Sequence, residues 1–512
     1  METWTWKHAA GRRWWLLPVI VAVLGCGPTS CSTSSPSSRG SEDAHLEQET
    51  WDVVFLNGER AGHIHTSVFR ETGSAGDVLR IEQEEALTLR RGDNRIDTRC
   101  TTTSLETPDG RLLEFTCDLV QGNIPMEAKG QVVGNELQIE VGAAGRKTKA
   151  SLPWAEELGG PYRVPAALKS QPLTPGETRV FRYLDAGTNQ LATRTLTAAD
   201  FEETQLTRQP RRLLRVESQT SIADSTIKST LWVDQDGEIY KEQIPEMFDY
   251  TAIRATRQEA MKKVTQIDFD LGKLSAVPVD RPLPAPHNTK RIVYRVHLES
   301  SDPARVFASC RTQQVVSEDE HTALVTVYAI RPNHTTGNPQ AQPESTTDGD
   351  LEPNHLIQSD DGEVADLARR IAGETGDPWQ TAIALERWVN ANMTSQGSSS
   401  AFATAAEVAR DRKGDCTEHA VLLAALARAR GIPARVAIGL VYYRQEFLYH
   451  MWNELSIDGT WIPLDATLAQ GGIGAAHLKI IDSNLQGASP QAAFLPVTEV
   501  IGQLRIEILE VE

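Results

Sequence analysis

The sequence predicts an α+β chain in which a large antiparallel, mainly-β region precedes a smaller C-terminal core of helices followed by strands. Three observations carry this. From about residue 51 to 267, short alternating runs are separated by turn pairs such as Asn57-Gly58, Asp109-Gly110, Gly134-Asn135 and Asp236-Gly237. From Asp361 onward, helix caps and apolar residues at helical spacing take over. After Pro433, β-type runs return, split by the hairpin pair Asp458-Gly459. At 512 residues there is room for two to four domains.

At the N-terminus, Lys7, Arg12 and Arg13 precede an apolar run over 14–24, and Gly25-Cys26 follows. Roughly eleven apolar residues are too few to span a bilayer but match the core of a signal peptide. Val23-Leu24-Gly25-Cys26 resembles a bacterial lipobox, which makes Cys26 the expected lipidated first residue of the mature protein. An uncleaved anchor or an ordinary signal peptide is the alternative. The serine-rich stretch after Cys26 fits a flexible tether.

The β region could form one curved sheet, a sandwich or two modules, and its pattern does not choose among them. Export permits disulfides. Cys100 and Cys117 flank the loop Thr107-Pro108-Asp109-Gly110. If Glu106 and Arg111 close that loop, the two cysteines face each other directly, so a Cys100–Cys117 cross-strand disulfide is expected. Cys310 has no evident partner. A proline-rich stretch near 274–287 marks a boundary, and strands resume at 291–330.

In the C-terminal part, Asp377 and Pro378 are an N-cap and first helical residue, with Ala382, Leu385 and Val389 on one face. Thr404 and Glu407 form a capping-box pattern, as do Asp415 and Glu418. The second of these opens a helix with Cys416 in its first turn and a stop at Gly431. Unpaired N–H groups at a helix start favour thiolate over thiol. Asp415 and Glu418 oppose this with two nearby negative charges, which a neighbouring imidazolium would outweigh.

The strands that follow carry that imidazole. If Ile457 and Thr460 flank the Asp458-Gly459 turn, Asp465 falls opposite Trp452, and His450 lies diagonal to Asp465 on the same face. Diagonal neighbours are about 7–8 Å apart between α-carbons, within reach of a side-chain hydrogen bond. A nucleophile, a base and an orienting carboxylate are the parts of covalent acyl transfer.

The segments GDCTEHA, GIPAR, HMWNE and WIPLDAT resemble the transglutaminase-like superfamily, whose core is related in fold to papain-type thiol proteases. The resemblance covers roughly 356 to 468, more weakly to the C-terminus through Ala476-His477-Leu478. It implies Cys416 as nucleophile, His450 as general base and acid, and Asp465 as its orienter. It implies acyl transfer on peptide or protein amides through a thioester, with no cofactor and no metal. A zinc site at Cys416, His450 and Asp465 lacks a fourth ligand. His419, three residues past Cys416, has no expected carboxylate, and His477 reads as structural. The Cys416 N–H is one expected oxyanion donor, and the second is expected near 396–402.

The domain organisation expected is then: 1–25 signal peptide; 26–47 lipidated cysteine and tether; 48–272 antiparallel β region; 273–290 proline-rich linker; 291–332 β segment near the catalytic domain; 333–356 polar linker; 357–512 catalytic domain. A net charge of −18 lacks the basic footprint that nucleic acid requires. It also argues against attachment to anionic lipid through the protein surface, leaving the lipid anchor as the expected membrane contact. The expected partner is a peptide or protein substrate at the cell envelope. A catalytically silent binding or assembly module on the same fold is the competing reading. The sequence does not set the oligomeric state.

Overall fold

The computed structural model describes residues 44–512 except 74–75, 92–93, 122–123, 144, 224, 266–268, 332–336, 374–375, 395–402 and 488–489. The signal peptide, Cys26 and most of the tether lie outside the described residues, as does the 396–402 segment. About half the chain is strand and 18 % is helix, so it is mostly β by content. No helix among the described residues is long and apolar enough to cross a membrane.

The chain divides into two compact units. Asp270 ends the main part of the first, and the second holds Leu271–Gln486 and Val500–Glu512. The expected catalytic domain is corrected in one respect: Gly487–Glu499 belongs to the sheet unit. There Leu495 packs with Ala192 and Ile222, and Glu499 accepts from the Thr226 N–H at 2.9 Å. Contacts so remote in sequence leave no local pattern.

The sheet unit is two meanders joined edge to edge. The first comprises β1 (His45–Leu56), β2 (Glu59–Gly73), β3 (Gly76–Arg91), β4 (Asn94–Glu106), β5 (Leu112–Gln121), β6 (Ile124–Val133), β7 (Glu136–Ala143) and β8 (Arg146–Pro153). Helix α1 (Arg163–Ser170) separates it from β9 (Thr178–Asp185), β10 (Gln190–Thr204), β11 (Arg211–Ile222), β12 (Ser225–Val233), β13 (Ile239–Ile244) and β14 (Tyr250–Ala255). Strand β14 pairs with β1, giving one 14-stranded antiparallel sheet that runs from β8 to β9. Strands such as β7 alternate buried and exposed residues, as expected when one sheet face is covered. Val164 and Leu168 of α1 pack on Leu196, Val216 and Leu231. The chain after β8 protects an edge, with Gly159 exchanging backbone hydrogen bonds with Arg182 and Leu184 on β9.

The structure corrects the register around the two cysteines. The loop closes with Glu106 opposite Leu112, not Arg111, and a further shift between Leu105 and Glu106 pairs Thr102 with Cys117 and Cys100 with Leu119. The cysteines are therefore diagonal neighbours, not directly opposed. Their sulfurs still approach to 3.6 Å, within hydrogen-bond reach, inside the buried cluster.

The second unit holds two sheets and four main helices. In one sheet, β16 (Arg291–Leu298) lies between β18 (Thr322–Tyr328) and β23 (Leu504–Val511), and β17 (Gln313–Asp319) pairs with β18. The other places β15 (Val277–Pro278), β20 (Glu446–Ile457), β19 (Ala434–Tyr443) and β22 (His477–Ser483) in that order, with β21 (Thr460–Leu464) on β20. The helices are α2 (Gly362–Ala372), α3 (Pro378–Asn392), α4 (Ala405–Asp411) and α5 (Cys416–Arg428). Asp361, Asp377, Thr404 and Asp415 all cap helices with their side chains. Helix α5 is buried at every position and packs on β19 and β20, so it is the central helix of the unit.

The stretch read as a polar linker is tied down where it is described. Asn338 donates to the carbonyls of Cys310 and Gln313 at 3.1 Å each, and Glu344 pairs with Arg435. Arg428, near the end of α5, donates to the carbonyls of Glu352, Ala434 and Asn484. Most of 339–353 is exposed, in keeping with its polar composition, and these bonds hold it at a few points.

Candidate active site

The Asp415 carboxylate accepts the Thr417 N–H at 3.1 Å, and Glu418 accepts the Asp415 N–H at 2.9 Å. This capping box starts α5 at Cys416 and leaves the thiol 2 % exposed. Burial, reinforced by Asp415, pushes the Glu418 carboxyl well above the usual range. That shift weakens the opposition to thiolate expected from this pair.

The hairpin forms as its sequence requires. Asp458 and Gly459 adopt φ of 50° and 73°, the left-handed pair of a type I′ turn. Ile457 pairs with Thr460 and Asn453 with Leu464, so the register is the one expected. Asp465 follows the last residue of β21, and its Oδ2 lies 2.8 Å from His450 Nε2. Asn453, on the same strand as His450, donates to the Ala420 carbonyl of α5 at 2.9 Å. That bond fixes the base strand against the helix that carries Cys416.

Both partners are almost fully enclosed, His450 at 0 % and Asp465 at 1 % exposure. Burial by itself would lower the imidazole, but Asp465 and contact with the Cys416 side chain hold it up to about 10. Burial would likewise raise the Asp465 carboxyl, yet His450 and His477 hold it well below the usual range. Nε2 faces the carboxylate, so Nδ1 is the ring nitrogen left for the thiol. His450 therefore holds a proton at neutral pH beside the Cys416 side chain.

Two contributors were not read from the sequence. His477 on β22 places Nε2 3.1 Å from the same Asp465 Oδ2, so one carboxylate oxygen serves two imidazoles. Glu386 on α3 accepts the N–H groups of Asp465 at 3.2 Å and Gly471 at 2.9 Å, anchoring the backbone beneath the carboxylate. Burial raises Glu386 to about 8. The usable signal for His477 was its place in an apolar run: a polar ring inside a buried strand requires a partner. His419 instead bonds through Nδ1 to the Asp415 carbonyl at 2.6 Å, and burial lowers its pKa.

His450, Asp465 and His477 are also the described residues whose ligand atoms converge closely enough to hold a metal ion. A cation there would occupy both Nε2 atoms and Oδ2. His450 would then keep its remaining proton on Nδ1, facing the thiol, and could not accept another. Metal binding and general-base action at this cluster exclude each other.

A cysteine at a helix start thus meets an imidazole and a buried carboxylate from an adjoining hairpin. Residues 365–466 match the family model described as the Transglutaminase-like superfamily. Among solved structures it is similar to a protein from Cytophaga hutchinsonii named as a candidate cysteine protease, at 18 % identity, TM-score 0.28, covering 44 % of this chain and 87 % of that one. It is also similar to a β-barrel-like protein of a domain family of unknown function from Brucella abortus, at 10 % identity, TM-score 0.31, covering 41 % of this chain and 96 % of that one. At these TM-scores neither likeness carries weight for fold or function. No curated protein matches the chain.

Proposed function

We propose that this protein is a thiol acyl-transfer enzyme acting on peptide or protein amides. The observation that supports it most directly is the His450–Asp465 pair buried against the residue that starts α5. In the first step the Cys416 sulfur, its proton held on His450 Nδ1, adds as thiolate to the amide carbonyl carbon. The resulting oxyanion takes the Cys416 backbone N–H. On collapse the C–N bond breaks, His450 protonates the leaving amine, and a thioester remains. Water or a second amine then attacks the thioester, His450 takes its proton, and the Cys416 sulfur leaves. Hydrolysis is favoured over cross-linking, because no dedicated amine site is evident and water is always present. The papain-like arrangement of a core helix followed by strands belongs to this reading.

Cys26 as a lipid anchor would hold the enzyme at the cell envelope, with its substrate there. Labelling cells with an alkynyl fatty acid tests this, since Cys26→Ala should remove the label.

The second reading, a silent module, has one observation in its favour: Cys416, His450 and Asp465 are each 2 % exposed or less. An activated ester separates the two. p-Nitrophenyl acetate should give a nitrophenolate burst and a 42 Da adduct (on the order of one acetyl) at Cys416, both lost in His450→Ala. Failure of both proteins to acylate would overturn the enzyme reading. Adding a primary amine then reads hydrolysis against transfer from the product ratio.

A further inference from the structure

We propose that His477 is a positioning residue of the site, one that holds the Asp465 carboxylate ionised and aimed at His450; this rests on the thiol-enzyme reading above. Asp465 is saturated. Its Oδ1 accepts the Thr467 N–H at 2.8 Å and the Thr467 hydroxyl at 2.6 Å. Its Oδ2 accepts His450 Nε2 at 2.8 Å and His477 Nε2 at 3.1 Å. Four donors match the roughly four lone-pair sites of a carboxylate. With every oxygen direction assigned, the group cannot rotate away from His450.

The alternative role for His477 is packing. Its ring stands edge-on to Trp452 at 5.2 Å and to His287 at 5.8 Å. Any flat ring meets that demand, but only an N–H reaches Oδ2. Burial lowers the His477 pKa, so it donates as a neutral ring and adds no charge to compete with His450. The titratable groups around Asp465 are Glu386 from α3, Cys416 and His419 from α5, His450 from β20, His477 from β22, and His287 from the segment before β16. Among them Glu386 is held neutral near pH 7 by its raised value, and His287 by one lowered to about 4. Loss of the His477 donor would therefore fall on the His450–Asp465 pair.

The test is the pH dependence of Cys416 alkylation by iodoacetamide, read by peptide mass spectrometry in wild type, His477→Ala, His477→Phe, His477→Asn and His450→Ala. A carboxylate that accepts fewer hydrogen bonds holds its charge less well. His477→Ala and His477→Phe should therefore move the acid limb upward by about one pH unit. His477→Asn, which keeps an N–H donor, should stay within about threefold of wild type across the range. A lower rate with an unmoved limb in His477→Ala, or full function in His477→Phe, would mean packing alone and overturn the inference. If His450→Ala changes nothing, the thiol-enzyme reading fails first, which separates the two failures. Proton NMR of ¹⁵N-histidine-labelled wild type needs no variant. Downfield Nε2–H signals from both His450 and His477 are expected beside the Nδ1–H signal of His419, and absence of the His477 signal would overturn the inference even if the variants do not fold.

Discussion

Glu106 in the sheet unit and Asp465 in the second unit are buried alike, at 0 % and 1 % exposure, yet they sit at opposite ends of the carboxylate range. Burial lifts Glu106 to about 7, because its direct donors are neutral: the Ser104 hydroxyl at 2.7 Å and the Tyr162 N–H at 3.0 Å. Glu85, bonded to the Tyr250 hydroxyl, rises to about 8 for the same reason. Asp465 pays the same desolvation cost but faces an imidazolium and three further donors, so its charge survives. A buried acid is neutralised where it only fills a structure and kept charged where it orients a base.

The sharpest break of that contrast is at the site. His450→Ala should lower turnover of an activated ester by roughly 10²–10⁴-fold, the range for a lost general base. Asp465→Asn should follow closely, because it removes the charge that holds the imidazole at about 10. Its neutral amide presents a donor or acceptor of the wrong kind to one of the two histidines. Stopped-flow measurement of nitrophenolate release checks both.

Next in size is the sulfur pair. Oxidation of Cys100 and Cys117 needs only a small approach from 3.6 Å, and closing so short a loop is worth about 3 kcal/mol in the chain-entropy model. Protein isolated under oxidising conditions should yield a linked peptide in non-reducing mass mapping and melt several degrees lower after reduction. Free thiols at both positions in such protein would remove the disulfide.

The smallest effect sharpens the other side of the comparison. Glu106 keeps its proton in the folded chain up to about pH 7, whereas the unfolded side chain ionises near 4.5. Its contribution to stability is full below pH 4.5 and is lost as pH rises to about 7. Glu106→Gln keeps an acceptor for Ser104 and Tyr162 and removes the ionisation. The variant should melt with less loss between pH 4.5 and 7.5, by about 2–4 °C for each kcal/mol recovered. An identical slope in both proteins would contradict the assignment.

What could be read from the sequence was local. Caps at Asp377, Thr404 and Asp415, and the Asp458-Gly459 turn, act within a few residues, and the turn set the register that brings His450 to Asp465. Cys100 and Cys117 were misaligned because the loop closes one residue later, at Leu112, and an irregularity at Glu106 shifts the count by one more; a bulge has no clear signature in one sequence. His477 and Glu386 reach Asp465 from β22 and α3, separated from it by 12 and 79 residues. Such contacts are fixed by sheet order and helix packing, which no short window contains. The upward shift of Glu418 was equally hidden, because it depends on how completely α5 is buried.

The most direct measurement is the rate of Cys416 alkylation against pH, resolved by peptide, in wild type and His450→Ala. The account predicts rapid labelling well below about pH 8.5 in wild type and its loss in the variant. Slow labelling that rises only near that pH, alike in both proteins, would contradict it and leave a thiol that is buried but not activated.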